Sequence, residues 1–145
     1  MIKTIHQNII ESYAQYIAHQ CNCISKNYSG LAKTIFDAFS EANTYNSPRQ
    51  FETISIHGKI INMYSQIYPG KSKYEDSKEA RLIAFEKCLN LILDIPDLQS
   101  IVMPYNIGCG LAGGDWFEYL YLINNFAKTC ESKKIKTFLC KWSNE

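Results

Sequence analysis

The sequence predicts an α/β fold of three layers, an α/β/α sandwich in which helices cover both faces of a mixed central β-sheet. Two observations lead to this prediction. Apolar segments with strand character alternate along the chain with three segments of helical periodicity, an order typical of a sheet built from crossover connections. The chain has 145 residues, of which 46% are hydrophobic, and this suits one domain over residues 1–145.

The first half of the chain is predicted to contain four strands and one helix. Strand character is found in four segments, residues 1–6, 15–23, 53–58 and 59–65. The helix is expected over residues 29–41, because Leu31, Ile35 and Phe39 recur at helical spacing and Ser29 is a suitable N-cap. A polar connection that includes one proline separates this helix from the third strand.

The second half is predicted to contain two longer helices and two further strands. Asp76 or Ser77 can cap the first of these helices. Its apolar stripe is expected to comprise Ala80, Ile83, Ala84, Cys88, Leu91 and Ile92. Asp115 and Glu118 form a capping box at the start of the last helix. The strands are expected at residues 100–105 and 135–142.

Composition and charge limit the classes of partner. The net charge is +1 and the isoelectric point is near 7.6, so the chain as a whole does not attract anionic lipid, and no direct nucleic-acid binding is expected. The sequence has no segment of about eighteen apolar residues and no apolar signal segment, so no membrane association and a cytoplasmic location are expected. The six cysteines lie in strand-like and helix-like segments, which favours reduced thiols.

Four glycines lie in the segment MPYNIGCGLAGGDW, residues 103–116, which follows the most strand-like part of the chain and precedes the last helix. Glycine lets a ligand approach the main chain closely, and a loop from a strand to a helix suits an anion or a nucleotide pyrophosphate. The spacing matches neither GxGxxG nor the Walker A pattern. A second loop, between residues 15–23 and Ser29, is expected at the same sheet edge, so that main-chain donors hold two adjacent phosphates from both sides.

These residues resemble those of macro domains, the modules that bind ADP-ribose. The similarity is greatest to the branch with terminal ADP-ribose protein glycohydrolase and the yeast-type ADP-ribose-1''-phosphate phosphatase, whose second ligand loop reads Gly-Cys-Gly-Leu and ends in Trp, as IGCGLAGGDW does here. GLAKTIFDAF is similar to the first-loop helix, YIAHQCN stands at the Asn-Ala-Ala-Asn motif, and QNII stands at the Gly-Asp-(Ile/Leu) segment. The resemblance covers the whole chain. It implies a macro-domain fold, ADP-ribose or an ADP-ribosylated substrate as the partner, and no cofactor.

The resemblance also implies binding roles for individual residues. Asn8 and Ile9 are expected near the adenine, with Asn8 in place of the family's Asp. Asn22 matches the second Asn of the family motif, which contacts the distal ribose. The residues expected to line the first phosphate loop are Gly30, Leu31 and Ala32. Those expected to wrap the second phosphate and the distal ribose are Ile107, Gly108, Cys109, Gly110, Leu111 and Ala112.

The catalytic positions depart from the glycohydrolase pattern. His19 replaces the first Asn of the motif, Ala112 stands where the glycohydrolase has its catalytic Asp, and Lys71 is the candidate for its nucleophilic Lys. The first hypothesis is a hydrolase in which Asn22 positions the distal ribose for attack by water, with His19, Lys71 and Asp115 as further catalytic candidates. Its substrate is expected to be ADP-ribose-1''-phosphate or an ADP-ribosylated acceptor. The alternative is a non-catalytic ADP-ribose reader, and a third hypothesis is a relative of this fold that binds another nucleotide.

Several candidates also have a purely structural explanation. Asp115 is expected to cap the last helix rather than act as an acid. Asn22 can form a turn by accepting hydrogen bonds from its own backbone. His19, Cys21 and Cys23 share one face of a strand, but three ligands from one strand give poor tetrahedral geometry and no fourth is evident. A core-facing strand and no metal are therefore expected.

Overall fold

The computed structural model describes residues 2–142, which form six strands, three α-helices and two single turns of 3-10 helix. The strands are β1 (Lys3–His6), β2 (Tyr16–Asn22), β3 (Ile54–His57), β4 (Ile60–Gln66), β5 (Ser100–Pro104) and β6 (Lys136–Lys141). The helices are α1 (Gly30–Ala38), α2 (Lys78–Leu93) and α3 (Trp116–Ser132), and the 3-10 turns are Ile9–Glu11 and Ser40–Ala42.

Each segment predicted as a strand or a helix forms that element, with ends that differ by up to three residues. The predicted domain, residues 1–145, also includes residues 1 and 143–145, which lie outside the described residues. None of the helices within residues 2–142 has both the length and the apolar character that a membrane span requires.

The six strands form one mixed sheet in the order β1-β6-β5-β2-β4-β3. All neighbouring pairs are parallel except β3 and β4, which form a hairpin around Gly58, whose φ of +60° suits glycine. The register places Ile17 of β2 between Ile60 of β4 and Val102 of β5, so the centre of the sheet is apolar. Because the other five strands are parallel, their carboxyl ends lie at one edge of the sheet.

Helices cover both faces of the sheet, which confirms the predicted three-layer sandwich. On one face α2 and α3 pack against a core that includes Ala18, Ile61 and Phe85. On the other face α1 and the 3-10 turns cover a second core that includes Ile17 and Phe36. Neighbouring residues along β2 therefore enter opposite cores, as the alternation of side chains along a strand requires.

The buried face of α2 differs from the prediction. Ile83 and Leu91 were expected in the apolar stripe, but 54% and 39% of their surface is exposed. Phe85 and Leu89, which were not in that stripe, are buried. Because these side chains are larger, the helix is rotated by about one residue relative to the predicted stripe. The apolar residues that face the sheet are Ala84, Phe85, Cys88, Leu89 and Ile92.

Candidate functional site

A cleft of about 770 Å³ opens at the carboxyl edge of the sheet. All five parallel strands contribute to its lining at or just beyond their carboxyl ends. We call residues 23–29 the β2–α1 loop, residues 67–77 the β4–α2 loop and residues 105–115 the glycine loop. The lining comprises Gln20, Asn22, Ser25, residues 27–32 and Tyr45, then Gln66, Pro69 and Gly70, then residues 104–112, and finally Gln7, Ile9 and residues 140–142.

Neutral groups dominate the surface of the cleft. Among the described residues that line it there is no Asp, Glu, Arg or His, and Lys141 is the one charged side chain. The other polar atoms belong to the main chain and to Asn, Gln, Ser, Tyr, Trp and Cys side chains. An anionic ligand therefore meets no carboxylate in this lining, and main-chain N–H groups are available to bind it.

The glycine loop packs tightly against Tyr119 of α3. Gly108 has a φ of +77°, and a Cβ at this position would lie 2.5 Å from Cε1 of Tyr119. A Cβ at Gly114 would lie 2.5 Å from the carbonyl oxygen of Gly108, which accepts a hydrogen bond from the N–H of Gly114 at 3.0 Å. Both positions therefore require glycine. The residues between them, including Gly110 and Leu111, line the cleft.

Asn22 ends β2 and shapes the β2–α1 loop. Its Oδ1 accepts hydrogen bonds from the N–H groups of Ser25 at 2.8 Å and Ile24 at 3.3 Å, as the turn-forming explanation anticipates. Its Nδ2 lies 3.5 Å from the hydroxyl oxygen of Tyr45, which is long for a hydrogen bond. Asn22 lines the cleft, so its amide nitrogen is the part of the side chain that keeps donor capacity for a ligand.

The start of α1 also reaches the cleft. Gly30, Leu31 and Ala32 line it, and Ser29, the N-cap residue, makes no side-chain hydrogen bond to the first turn. N–H groups in the first turn of a helix carry partial positive charge and bind anions. The ligand-binding roles of Gly30, Leu31 and Ala32, and those of residues 107–112 on the other side of the cleft, remain predictions.

His19 lies in the core and does not line the cleft, in agreement with the core-facing strand expected for this face of β2. Its side chain is 1% exposed, and its Nε2 is 2.7 Å from Oδ1 of Asn62. Asn62 Nδ2 donates to the carbonyl oxygen of Ala42, so Oδ1 is the acceptor and Nε2 of His19 carries the proton. Burial lowers the pKa of His19 to about 4. Strand alternation explains this position, because His19 shares the face of β2 that packs against Phe36 of α1.

Three other predicted site residues lie beside the cleft rather than in its lining. Asp115 caps α3, since its Oδ1 accepts from the N–H of Phe117 at 3.0 Å. Asn8 caps the first 3-10 turn by accepting from the N–H of Ile10 at 3.3 Å, and its neighbour Ile9 lines the cleft. Lys71 is exposed, and its side chain packs against Gly113, where a Cβ would lie 3.2 Å from Cγ of the lysine.

The sulfur groups near the site are poor ligands and nucleophiles at neutral pH. Burial raises the pKa of Cys109, in the glycine loop, to about 11, and the carboxylates of Asp115 and Glu118 act in the same direction. The thiol is therefore protonated at neutral pH. Within residues 2–142 no group of three or more His, Cys, Asp or Glu side chains is placed to hold a metal ion.

The outer end of the cleft, by which we mean Gln7, Ile9, Tyr105, Lys141 and Trp142, includes three residues that sequence reasoning missed: Gln7, Lys141 and Trp142. The Nζ of Lys141 lies 4.8 Å from the ring centroid of Tyr105, a cation–π distance. These residues meet because β1, β6 and β5 are neighbours in the sheet. The signal available in the sequence was that each of them stands at or just after the end of a predicted strand.

Sequence reasoning also missed the role of Asp76. Ser77 and not Asp76 caps α2, because Oγ of Ser77 accepts from the N–H of Ala80 at 3.0 Å. Asp76 is fully buried and pairs with Arg81, with 2.7 Å between Oδ2 and Nη2. The available signal was helical spacing, because Arg81 stands three residues before Ala84 and seven before Cys88, two members of the predicted stripe.

The fold and the cleft define a macrodomain-like α/β protein. The macrodomain of Mycobacterium tuberculosis DarG is similar, with a TM-score of 0.73 and 15% identity over 97% of this chain and 97% of that chain. The Trypanosoma brucei macrodomain in complex with ADP has a TM-score of 0.69 and 13% identity over 99% of this chain and 65% of that chain. Thermosipho africanus DarTG in complex with ADP-ribose gives a TM-score of 0.67 and 13% identity over 99% of this chain and 44% of that chain. Neither protein-family models nor curated protein sequences yield a match, and identities this low establish the fold alone.

Proposed function

We propose that this protein binds ADP-ribose, free or as an ADP-ribosyl group, in the cleft. The observation that carries the proposal is that the start of α1 and the glycine loop both line a cleft whose described lining has no carboxylate. A helix start and a glycine-rich loop are main-chain environments that bind phosphate oxygens. The similar structures of the Trypanosoma brucei macrodomain and Thermosipho africanus DarTG hold ADP and ADP-ribose, which supports a ligand with a pyrophosphate.

The remaining lining suits the two ends of such a ligand. The distal ribose lies beside Asn22, whose Nδ2 donates to a ribose hydroxyl. The base lies at the outer end of the cleft, where Ile9, Tyr105 and Trp142 offer apolar and aromatic surface. Each half of the ligand therefore occupies its own part of the cleft.

Calorimetry with ADP-ribose, AMP and ribose 5-phosphate tests this binding function. We expect a micromolar dissociation constant for ADP-ribose, which corresponds to a binding free energy of about −7 to −9 kcal/mol. AMP and ribose 5-phosphate should bind at least tenfold more weakly, because each fills one end of the cleft. Equal affinities for AMP and ADP-ribose would contradict a ligand that spans both loops.

We further infer that the bound ligand is hydrolysed at its distal ribose, at the 1''-phosphate or at the bond to an acceptor. The loops orient the ligand, Asn22 holds the distal ribose, and a water molecule attacks C1'' of that ribose. The new C1''–O bond forms as the bond from C1'' to the phosphate or the acceptor breaks, and the phosphate or acceptor leaves with the electron pair of that bond. A phosphate oxygen of the substrate takes the proton of that water, since the described lining offers no carboxylate or imidazole. Replacement of Asn22 by alanine should then lower turnover by roughly 10- to 1000-fold.

A non-catalytic reader is the second candidate, and the same neutral lining favours it. Product assays on ADP-ribose-1''-phosphate and on ADP-ribosylated protein distinguish the two functions. Lys71→Ala and Asp115→Asn should each retain turnover within about tenfold of the wild type, because neither side chain lines the cleft. A trapped ADP-ribosyl-lysine at Lys71 would instead assign the glycohydrolase route. A wild-type protein that binds ADP-ribose and releases no product would be a reader.

A further inference from the structure

Arg81 and Asp76 form a buried ion pair beneath the cleft that the function proposed above does not use. Arg81 is 2% exposed and Asp76 is 0% exposed, and 2.7 Å separates Nη2 of the arginine from Oδ2 of the aspartate. Removing two charges from water carries a desolvation penalty that their attraction offsets only with close geometry and further hydrogen bonds. Such a pair is weak evidence for a stabilising role, so its other contacts are informative.

Those contacts join two loops that are distant in the sequence. Nη1 of Arg81 donates to the carbonyl oxygens of Gly70 at 2.9 Å and Ala112 at 3.3 Å. Nη2 donates to the carbonyl oxygen of Tyr68 at 3.1 Å. One side chain therefore holds both the β4–α2 loop and the glycine loop.

Asp76 binds the main chain of the same β4–α2 loop. Its Oδ2 accepts hydrogen bonds from the N–H groups of Ile67 and Tyr68, each at 2.9 Å. The Asp76 carboxylate therefore fixes the start of the β4–α2 loop. It also neutralises the guanidinium of Arg81, which holds the middle of that loop through the carbonyl oxygen of Gly70. The pair and the two loops form one connected unit.

This unit determines which backbone groups face the ligand. Gly70 and Ala112 line the cleft, whereas Arg81 does not. Their carbonyl oxygens are held by a buried cation and so point away from the space that an anion would occupy. Without that cation the carbonyl dipoles are free to turn toward the cleft, where their negative ends would repel a phosphate.

We propose that Arg81 is a positioning residue of the ADP-ribose site, which holds the β4–α2 loop and the glycine loop at a fixed separation and turns their carbonyl groups away from the ligand. This inference rests on the proposed function. The planar guanidinium fork is required, because it reaches three carbonyl oxygens and a carboxylate together. A lysine keeps the charge that Asp76 needs but cannot span the same set of acceptors.

The test compares the Arg81→Lys variant with the wild type by three measurements: urea unfolding, calorimetry with ADP-ribose, and hydrogen exchange followed by mass spectrometry. The variant is expected to fold and to bind ADP-ribose at least tenfold more weakly. Amide exchange should become at least tenfold faster in residues 67–71 and 107–114, with β2 and β5 unchanged. Lys87→Met is the matched control, because Lys87 is a basic residue of α2 that pairs with Glu52 at 2.9 Å and does not line the cleft.

The outcomes separate this inference from the function on which it rests. A wild-type protein that does not bind ADP-ribose contradicts the proposed function, and faster loop exchange in Arg81→Lys still supports the holding role. Wild-type affinity and unchanged exchange in a folded Arg81→Lys variant overturn the inference. If Arg81→Lys does not fold, the double variant Asp76→Asn, Arg81→Met removes both charges and is judged by the same two measurements.

Discussion

The ring of Tyr119 packs directly on the α-carbon of Gly108, so the base of the glycine loop rests on the core. A Cβ at Gly108 would lie 2.5 Å from Cε1 and 2.6 Å from Cζ of that ring. Tyr119 is 2% exposed and packs against Phe85 of α2 with 4.9 Å between ring centroids. Because the ring is almost fully buried between the loop and α2, the shape of the loop depends on the packing between α2 and α3.

Gly108→Ala should destabilise the protein. The left-handed φ costs about 1–2 kcal/mol with a side chain, and overpacking against Tyr119 adds about 1–3 kcal/mol, so we expect the free energy of unfolding to fall by about 3 kcal/mol. Urea denaturation measures this change. Gly110→Ala is the control in the same loop, since a Cβ there meets no atom within 4 Å, and equal stabilities of the two variants would contradict the packing argument.

Gly110→Val should weaken ligand binding without loss of stability. Gly110 lines the cleft and does not have a positive φ, so a branched side chain is tolerated by the fold but occupies space in the cleft that the proposed ligand needs. We expect the affinity for ADP-ribose to fall at least tenfold and the unfolding free energy to stay within about 0.5 kcal/mol of the wild type. Calorimetry and urea unfolding on one preparation check both values, and an unchanged affinity would place the ligand elsewhere.

Substitutions of Asn22 separate its role in the turn of the β2–α1 loop from its proposed role as a donor to the ligand. Asn22→Asp keeps an oxygen for the N–H groups of Ile24 and Ser25 but loses the Nδ2 donor and adds a negative charge. We expect this variant to keep wild-type stability and to bind ADP-ribose at least tenfold more weakly. Asn22→Ala should lose affinity and also about 1 kcal/mol of unfolding free energy, because two partly buried turn N–H groups lose their acceptor. Calorimetry measures the affinity of each variant and thermal unfolding measures its stability. Wild-type affinity in Asn22→Asp would show that Asn22 shapes the turn and does not bind the ligand.

The buried His19 should make stability fall in mild acid. Burial lowers its pKa to about 4 from 6.5, so above pH 6.5 the ring is neutral in both the folded and the unfolded chain. Between pH 6.5 and 4 the unfolded chain binds a proton that the folded protein does not, and the unfolding free energy falls by about 3 kcal/mol in total.

His19→Gln isolates this effect, because its amide can donate to Asn62 and does not titrate. Urea unfolding of both proteins from pH 7.5 to 4 gives the difference in their unfolding free energies at each pH. The carboxylates contribute equally to both proteins and therefore cancel in this difference. The wild type should lose stability relative to the variant as the pH falls. Parallel pH profiles would show that His19 does not titrate on unfolding.

Local patterns in the sequence predicted the strands, the helices and the loops that line the cleft. The helix over Gly30–Ala38 follows from its apolar spacing, and the capping role of Asp115 follows from its place before an amphipathic segment. Asn22 ends β2, and its Oδ1 accepts from the N–H groups of Ile24 and Ser25, as the turn-forming explanation anticipates. These inferences succeed because each depends on interactions within a few residues.

Contacts between distant segments could not be predicted in the same way. The hydrogen bond from Arg81 to the carbonyl oxygen of Ala112 joins residues 31 positions apart in the sequence. It forms only when the β4–α2 loop and the glycine loop are both in place. The direction of His19 depends on which face of β2 each helix covers, and both faces of that strand are buried. The stripe of α2 was misplaced at Ile83 because the larger Phe85 and Leu89 determine which face packs on the sheet.

The pairing of β1 with β6 has a consequence during synthesis of the chain on the ribosome. β1 lies at the edge of the sheet, where Lys3 is opposite Phe138, so among the described strands β1 pairs with β6 alone and has no partner until β6 is made. Contacts this far apart in the sequence form late in folding. Gln7, which follows β1, and Lys141 of β6 join the cleft at that stage. A nascent chain that already carries the β2–α1 loop and the glycine loop therefore still lacks the outer wall of its cleft.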